Sequence, residues 1–519
     1  MSRADPYALF ITSIPDVDKK KILWFIPLTM LVWVNMHPGA VFGIIFLFAW
    51  LTEGFIDLLK CNIKGEEFYN RLSVFFVTFL ATVITPNTYH LYTFLLQNVV
   101  SLGSKGGLEY ITEFMPTSLS QMPAMFTGLV VFTLIFLTGI FKMPLRYVVF
   151  GLVMIPMSFD MRRMVIIALI GTAPGIGMVV NGWFARFKTL SKSQALMAAF
   201  GVLIVALPFG YEYYQYKTDF IGSKGIGLQK QFYPDKAIDF ILKHHIKGNI
   251  YNSINFGGAV LFLGYPEIKD FIDTRLDPER FLLPEVMQSM SNPSAFDGLL
   301  KRYNVSYALV ETYVPIDYFR LLPAPEWRLV YFDDYAQILV KQGTGNDALI
   351  KQYGYTVFNP YTFLYTFSRL LSPNTYFTQP GLLSDLHRLE IVVPYSAMAN
   401  LAYGLALIYN NSDYADGLRY IDSARRIMPY NPRILLWYGI EHGLDGNTRL
   451  MKKSFTLVDS VLKYQKGETD QDKAYMNFIM GYYYYVAGLK TQAIRSLNIA
   501  IKPNPGFSKA QTLLNRLKQ

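Results

Sequence analysis

From residue 22 to residue 210 the chain is a series of apolar runs broken by short polar turns, and beyond residue 211 charged and polar side chains return at ordinary frequency. A helix that crosses a bilayer needs roughly 20 predominantly apolar residues. The first region predicts about seven spans: Ile22–Asn35, Ala40–Leu59, Leu72–Ile84, Met122–Phe141, Leu145–Ser158, Met164–Asn181 and Ala195–Gly210. Several are short, which suits a place inside a bundle or local thinning of the bilayer.

After the apolar region the period changes. Asn249–Tyr251, Asp270–Thr274, Ser306–Glu311, Trp327–Phe332 and Gln337–Lys341 predict short strands, with helices over Pro234–His245, Arg280–Met290 and Pro293–Tyr303. The last two strands join at an Asp333-Asp334 turn. Residues 346–394, rich in Tyr, Phe, Pro and Asn but without a period, predict a packed linker. From Ser396 the pattern is helical. Gly481, Tyr484, Gly488, Ala493, Leu497, Ala500 and Pro505 fit the small and large positions of a tetratricopeptide repeat, and Ala424 and Pro429 repeat the spacing of Ala500 and Pro505. The expected architecture is an α-helical transmembrane bundle over 1–211, a small extracytoplasmic α/β domain over 212–345, a linker over 346–394 and an all-α tetratricopeptide-like domain over 395–519. Helix pairs of that kind bind a protein partner or serve as a stabilising cap.

Composition agrees with the membrane reading, at 52% hydrophobic and 17% charged residues with a mean hydropathy of +0.23. The excess of 48 Lys+Arg over 38 Asp+Glu flanks apolar runs, so it points to topology and not to nucleic acid. Basic loops, with Lys19–Lys21, then Lys60, Lys64 and Arg71, then Lys142 and Arg146, then Arg186, Lys188 and Lys192, alternate with His37–Gly39, Asn87–Gln121 and Phe159–Arg163. The positive-inside rule puts the amino terminus inside and everything after Tyr211 outside. No small-residue cleavage site follows the first apolar run, so that helix is expected to stay as an anchor. The single cysteine, Cys61, excludes an intramolecular disulfide and a thiolate metal cluster. There is no GxGxxG, Walker or HExxH motif, and adjacent His244 and His245 point to different helix faces. No cofactor and no metal are expected.

Two places carry candidate chemistry. Asp160, Arg162 and Arg163 lie in a loop that the positive-inside rule assigns to the outer side, where arginine is unfavourable. A guanidinium fork matches phosphate oxygens, so the pair suits the phosphate of a lipid carrier; snorkelling to headgroups with a salt bridge to Asp160 fits as well. In the α/β domain, Asn252 and Asn255 of the segment Asn252–Gly258, together with Asp273 and Arg275, fall at strand ends where open sheets bind ligands. Helix capping and Asp–Arg pairing compete with that role.

The stretch Trp33-Val34-Asn35-Met36-His37-Pro38-Gly39 resembles the Trp-x-Asn-x-His-Gly-Gly signature of a large bacterial group of multispanning C-type glycosyltransferases. Thr85-Pro86-Asn87-Thr88-Tyr89, Glu113-Phe114-Met115-Pro116 and Arg162-Arg163 follow in the same order, and Tyr251-Asn252, Asn255-Phe256-Gly257-Gly258 and Phe271-Ile272-Asp273-Thr274-Arg275 resemble the soluble domain of that group. The likeness covers most of residues 21–341. It implies a protein of the bacterial inner (cytoplasmic) membrane that transfers sugar from a polyprenyl-phosphate donor at the outer face, in envelope glycan or glycoprotein assembly. Glu113 and His37 then stand as catalytic residues, with Arg162 and Arg163 on the donor phosphate. In that group the essential acid usually lies in the first outer loop of an amino-terminal half, which this chain does not match; a fragment, a partner subunit or a scaffold without catalysis are the three expectations that follow. The alternative function is a non-catalytic membrane scaffold whose repeats recruit a protein partner. A transporter fits less well, because no span pairs an internal acid with a repeated broken helix.

Overall fold

Apolar runs without access to water satisfy their backbone groups internally, and the first six runs each form a helix. The computed structural model describes residues 22–37, 39–93, 114–119, 122–187, 206, 210, 233–274, 276–365, 373–410, 413–464, 469–503 and 505–519. They fall into two units, 1–214 and 215–519. The chain is mostly helical, with one small mixed sheet.

The first unit holds α1 (Phe25–Met36), α2 (Ala40–Leu59), α3 (Gly65–Ala81), α4 (Pro123–Gly139), α5 (Leu145–Asp160) and α6 (Met164–Phe187). Of these, α2 and the Met164–Trp183 part of α6 are long and apolar enough to cross a membrane. Helix α3 begins seven residues ahead of its apolar run, because Glu66 and Glu67 complement the positive helix start. The seventh run, Ala195–Gly210, lies outside the described residues but for 206 and 210. Phe136, Tyr147, Phe150, Met154 and Val179 form a buried core between α4, α5 and α6, and Met30, Val34, Ala40 and Leu47 a smaller one. A Cβ at Gly151 or Gly171 would collide with Phe136 or Phe150, so these glycines set how closely the helices approach.

Side-chain contacts fix the direction of the helices. Glu53 of α2 accepts from the backbone N–H of Arg146 (3.0 Å) and from its Nη1 (2.8 Å), while Phe46, two turns earlier, meets Tyr147 and Phe150 at 5.8 and 5.5 Å. Helices α2 and α5 are therefore antiparallel. Asn35 Nδ2 donates to Ile84 O at 2.9 Å, which joins the end of α1 to the turn after α3. The turn at His37 and the turn at Asp160–Arg163 thus share one end of this unit. Lys60, Lys64, Lys142 and Arg146 gather at the other.

The second unit opens with α7 (Asp235–Lys243) and a sheet of β1 (Asn249–Asn252), β2 (Val305–Glu311), β3 (Trp327–Phe332) and β4 (Ala336–Lys341) in the order β1-β2-β4-β3. Strands β1 and β2 are parallel, and the other pairings are antiparallel. Between β1 and β2 lie α8 (Gly257–Gly264), α9 (Leu276–Ser289) and α10 (Pro293–Arg302), and α11 (Tyr318–Leu321) follows β2. Tyr331 pairs with Ile338, which pairs with Leu309, and it packs on Phe240 of α7; Tyr251 pairs with Ala308 and meets Phe296 of α10. Leu309 and Ala308 point to opposite faces, so helices cover both faces and the strands read as nearly continuous apolar runs.

Two expectations are corrected here. Asp270–Thr274 is not a strand; it runs as an irregular strap outside the sheet. The stretch expected as a linker contains α12 (Asp347–Tyr353), α13 (Pro360–Tyr365), α14 (Pro373–Phe377) and α15 (Leu382–Val392). Its aromatic residues, Tyr355, Phe358, Phe363 and Phe377, are core residues, and one oxygen of Asp385 accepts from the backbone N–H groups of Thr356, Val357 and Phe358 at 2.8, 2.7 and 3.1 Å. The segment lacks a long period because most of its helices run for seven residues or fewer.

Then come α16 (Ala397–Tyr409), α17 (Tyr414–Ile427), α18 (Pro432–Leu444), α19 (Thr448–Tyr464), α20 (Asp470–Val486), α21 (Lys490–Ile501) and α22 (Ser508–Lys518). Consecutive helices pack as pairs. Gly404 against Tyr420, Gly439 against Phe455 and Gly481 against Leu497 mark the crossing in each pair, where a Cβ would sit about 3 Å or less from the opposing side chain. Ser396, Asp413, Asn431 and Thr469 cap helix starts, Thr469 in a reciprocal box with Asp472.

Asp334 ties sheet to helices. Its carboxylate accepts from Ser396 Oγ (2.9 Å) and from the N–H groups of Ala397 (2.9 Å) and Met398 (2.8 Å) at the start of α16, while neighbouring Asp333 accepts from Tyr335 and Ala336, both at 2.8 Å. Asp334→Ala should lower the stability of this unit by about 2 kcal/mol, the upper range for loss of a helix-start acceptor. Denaturant unfolding followed by tyrosine and tryptophan fluorescence measures it, and an unchanged midpoint would remove the tie.

Candidate functional site

At the His37 end of the first unit, the turn between α5 and α6 is laced to residues 114–117. Arg162 donates from its backbone N–H to Met115 O (3.1 Å) and from Nε to Pro116 O (3.1 Å). Thr117 answers with bonds from its N–H to Phe159 O (2.9 Å) and from its hydroxyl to Ser158 O (2.8 Å). The Arg163 guanidinium lies 4.6 Å from the Phe114 ring centre, a cation–π contact. Two segments singled out separately in the sequence, Glu113–Pro116 and Arg162–Arg163, therefore meet, although Glu113 itself lies outside the described residues. Both arginines are half-buried and Asp160 is exposed. A guanidinium fork is matched in shape and charge to the oxygens of a phosphate.

His37 closes α1, and its Nδ1 accepts from the Gly39 N–H at 2.9 Å. That bond fixes the neutral ring as the tautomer with its proton on Nε2. The ring is exposed, and it shares its end of the unit with the arginine turn. Its bond serves its own turn.

In the second unit the crevice at the carboxyl ends of β1 and β2 collects the other candidates. Asn252, with no exposed surface, accepts from Phe271 N–H (2.7 Å) and donates to Ile272 O (2.7 Å) and Ser253 O (3.0 Å). Its amide is fully engaged in holding the 270–274 strap against β1. Gly257, at the start of α8, sits against Ile272 O and Asp273, where a Cβ would collide with backbone. Asp273 is buried beside Gly257, and Arg275 lies outside the described residues.

Asn255 reaches a residue that sequence reasoning passed over. Its Nδ2 donates to Glu311 Oε1 at 2.9 Å, and Tyr313 donates to the same oxygen at 3.3 Å. Glu311 ends β2 and is only 5% exposed. Behind it the Ser253 and Tyr318 hydroxyls lie 3.4 Å apart. Burial, helped by the Glu311 charge, pushes the Tyr251 and Tyr313 phenols well above the ordinary range, so both stay neutral hydrogen-bonding groups. A carboxylate, an amide and phenols at the ends of parallel strands suit a ligand rich in hydroxyl groups. The signal in the sequence was an acid closing an otherwise apolar strand, Val305–Glu311.

Gly257→Ala should displace the strap and destabilise the second unit by about 1–3 kcal/mol, whereas Gly258→Ala, which meets nothing within 4 Å, should be neutral or stabilising. Paired thermal unfolding of the two variants checks this, and equal behaviour would refute the cradle. Comparisons of this chain with protein-family models, with curated proteins and with solved structures return no match.

Proposed function

We propose that this chain is a multispanning, glycosyltransferase-like membrane protein that binds a polyprenyl-phosphate sugar donor at the outer membrane face, with Arg162 and Arg163 on the phosphate and Glu113 as the base. The single observation that carries this reading is the joining of the arginine turn to residues 114–117 at the end of the first unit opposite its basic loops. A lipid-phosphate sugar already carries its leaving group, so the transfer needs a base for the acceptor hydroxyl and cations for the departing phosphate, with no nucleotide fold. Glu113 takes the acceptor proton as the new glycosidic bond forms and the bond to phosphate breaks. In this reading the seven apolar runs are spans, the Lys60–Arg71 and Lys142–Arg146 loops are cytoplasmic, and the second unit is extracytoplasmic. Its paired helices are tetratricopeptide-like repeats that receive a protein partner; the glycine crossings at Gly404, Gly439 and Gly481 support this.

Arg162→Gln together with Arg163→Gln should weaken binding of labelled polyprenyl phosphate to the full chain in nanodiscs by more than tenfold, since a bond to a charged group is worth about 1.5–3 kcal/mol. The Lys–Lys variant should recover part of it. Unchanged binding by the Gln pair would refute the phosphate role. Topology has its own test in Cys61, which is exposed at the basic end. A membrane-impermeant maleimide should label it in inside-out vesicles and not in intact cells, and labelling of intact cells would overturn the orientation.

A further inference from the structure

One buried acid serves no part of the site described above. Glu441, on α18, has no exposed surface. Its Oε1 accepts from the Tyr409 hydroxyl of α16 at 2.8 Å, and Tyr409 in turn bonds to Tyr483 of α20. Tyr414 of α17 donates to the Glu441 backbone carbonyl at 3.0 Å. The other carboxyl oxygen, Oε2, is buried without any hydrogen-bond partner. Four helices from three successive pairs therefore meet around this residue, and its carboxyl group is bonded by one of them.

Among the described residues, the titratable groups interacting with it are phenols, Tyr409, Tyr414 and Tyr483, with the acidic Asp445 near Tyr414. Helix α19 packs on α18 through Met451 and Phe455 against Gly443 and Gly439. Among the described residues no lysine, arginine or histidine pairs with Glu441. An ionised carboxylate in this place would keep one oxygen unsolvated and unbonded, which is far more costly than burying the neutral acid.

We propose that Glu441 is a proton-operated latch: with the proton bound it closes the seam between α16, α17, α18 and α20, and on ionising it loosens that seam. Burial holds its acid constant up at about 7 against an ordinary 4.5, with the Tyr409 bond acting the other way. The sign follows from that direction. Between about pH 4.5 and 7 the closed state keeps a proton that an opened, solvated Glu441 releases, so resistance to opening falls as pH rises through this window and is flat above it. A helix stack that binds a partner across these pairs would thus be tighter in acid and more yielding at neutral pH.

The test is hydrogen–deuterium exchange of the full chain in nanodiscs at about pH 5 and about pH 7.5, corrected for intrinsic exchange. Protection of amides in residues 397–486 should fall on the order of 10²-fold, the linkage expected for a shift of that size. Glu441→Gln, which keeps the shape and cannot ionise, should abolish most of that fall. Asp334, whose acid constant burial raises to about 6, sits at the start of α16, so Asp334→Asn run alongside removes its own smaller share and should leave the larger part of the fall in place. A wild-type profile without a pH-dependent fall overturns the latch without recourse to any variant. So does a Glu441→Gln protein that keeps the wild-type slope.

Discussion

A polar group taken out of water must find a partner within the chain, and the form of this protein follows from how that demand is met. Asn252 uses donor and acceptor together to hold the 270–274 strap, Asp385 gathers three consecutive backbone N–H groups, and Asp334 satisfies the start of α16. Each is a single short side chain bridging segments distant in sequence. Each replaces secondary structure where the backbone is irregular. The hairpin turn at Asp333 and Asp334 matters most, because there the sheet and the helix pairs become one folded body.

The first unit meets the same demand in apolar surroundings. Thr78, Ser158 and Thr172 are buried, and each hydroxyl returns to the carbonyl four residues earlier, which lets a polar side chain sit among apolar helices. Glu53 and Arg146 pair where α2 crosses α5, and their two hydrogen bonds set both the direction and the register of that crossing. The arginine turn at the opposite end is organised differently. There, backbone carbonyls of residues 115 and 116 accept from Arg162, so its position is tied to that loop.

Where the demand is not met, function is the natural place to look. Glu441 keeps one oxygen without a bond and takes a phenol on the other, whereas Glu311, also buried, accepts from Asn255 and Tyr313. One carboxyl lies in a helix seam and the other at the carboxyl end of an inner strand. Hydrogen bonding separates them: one oxygen of the first is unsatisfied, while the second is bonded by an amide and a phenol.

What the sequence determined by itself was the set of elements whose signal is local. Six of the apolar runs, four of the five strands and the paired helices after Ser396 were legible because hydrophobic period and end-capping residues act over a few residues. Asp270–Thr274 reads as a strand from the apolar pair Phe271-Ile272 between polar residues, while the Phe271 N–H and the Ile272 carbonyl bond to a side chain, Asn252, 19 and 20 residues away. Residues 346–394 show no long period because most of their helices are two turns or shorter. Of the candidate residues, Arg162 and Arg163 stood out as charges at apolar boundaries, and Gly481 as a small residue in a helix repeat. Their contacts, Arg162 with Pro116, Asn255 with Glu311 and Glu441 with Tyr409, join positions from 32 to 56 residues apart. Only tertiary packing decides such pairs, because burial and the absence of water, which give each its strength, do not exist until the distant segments have met.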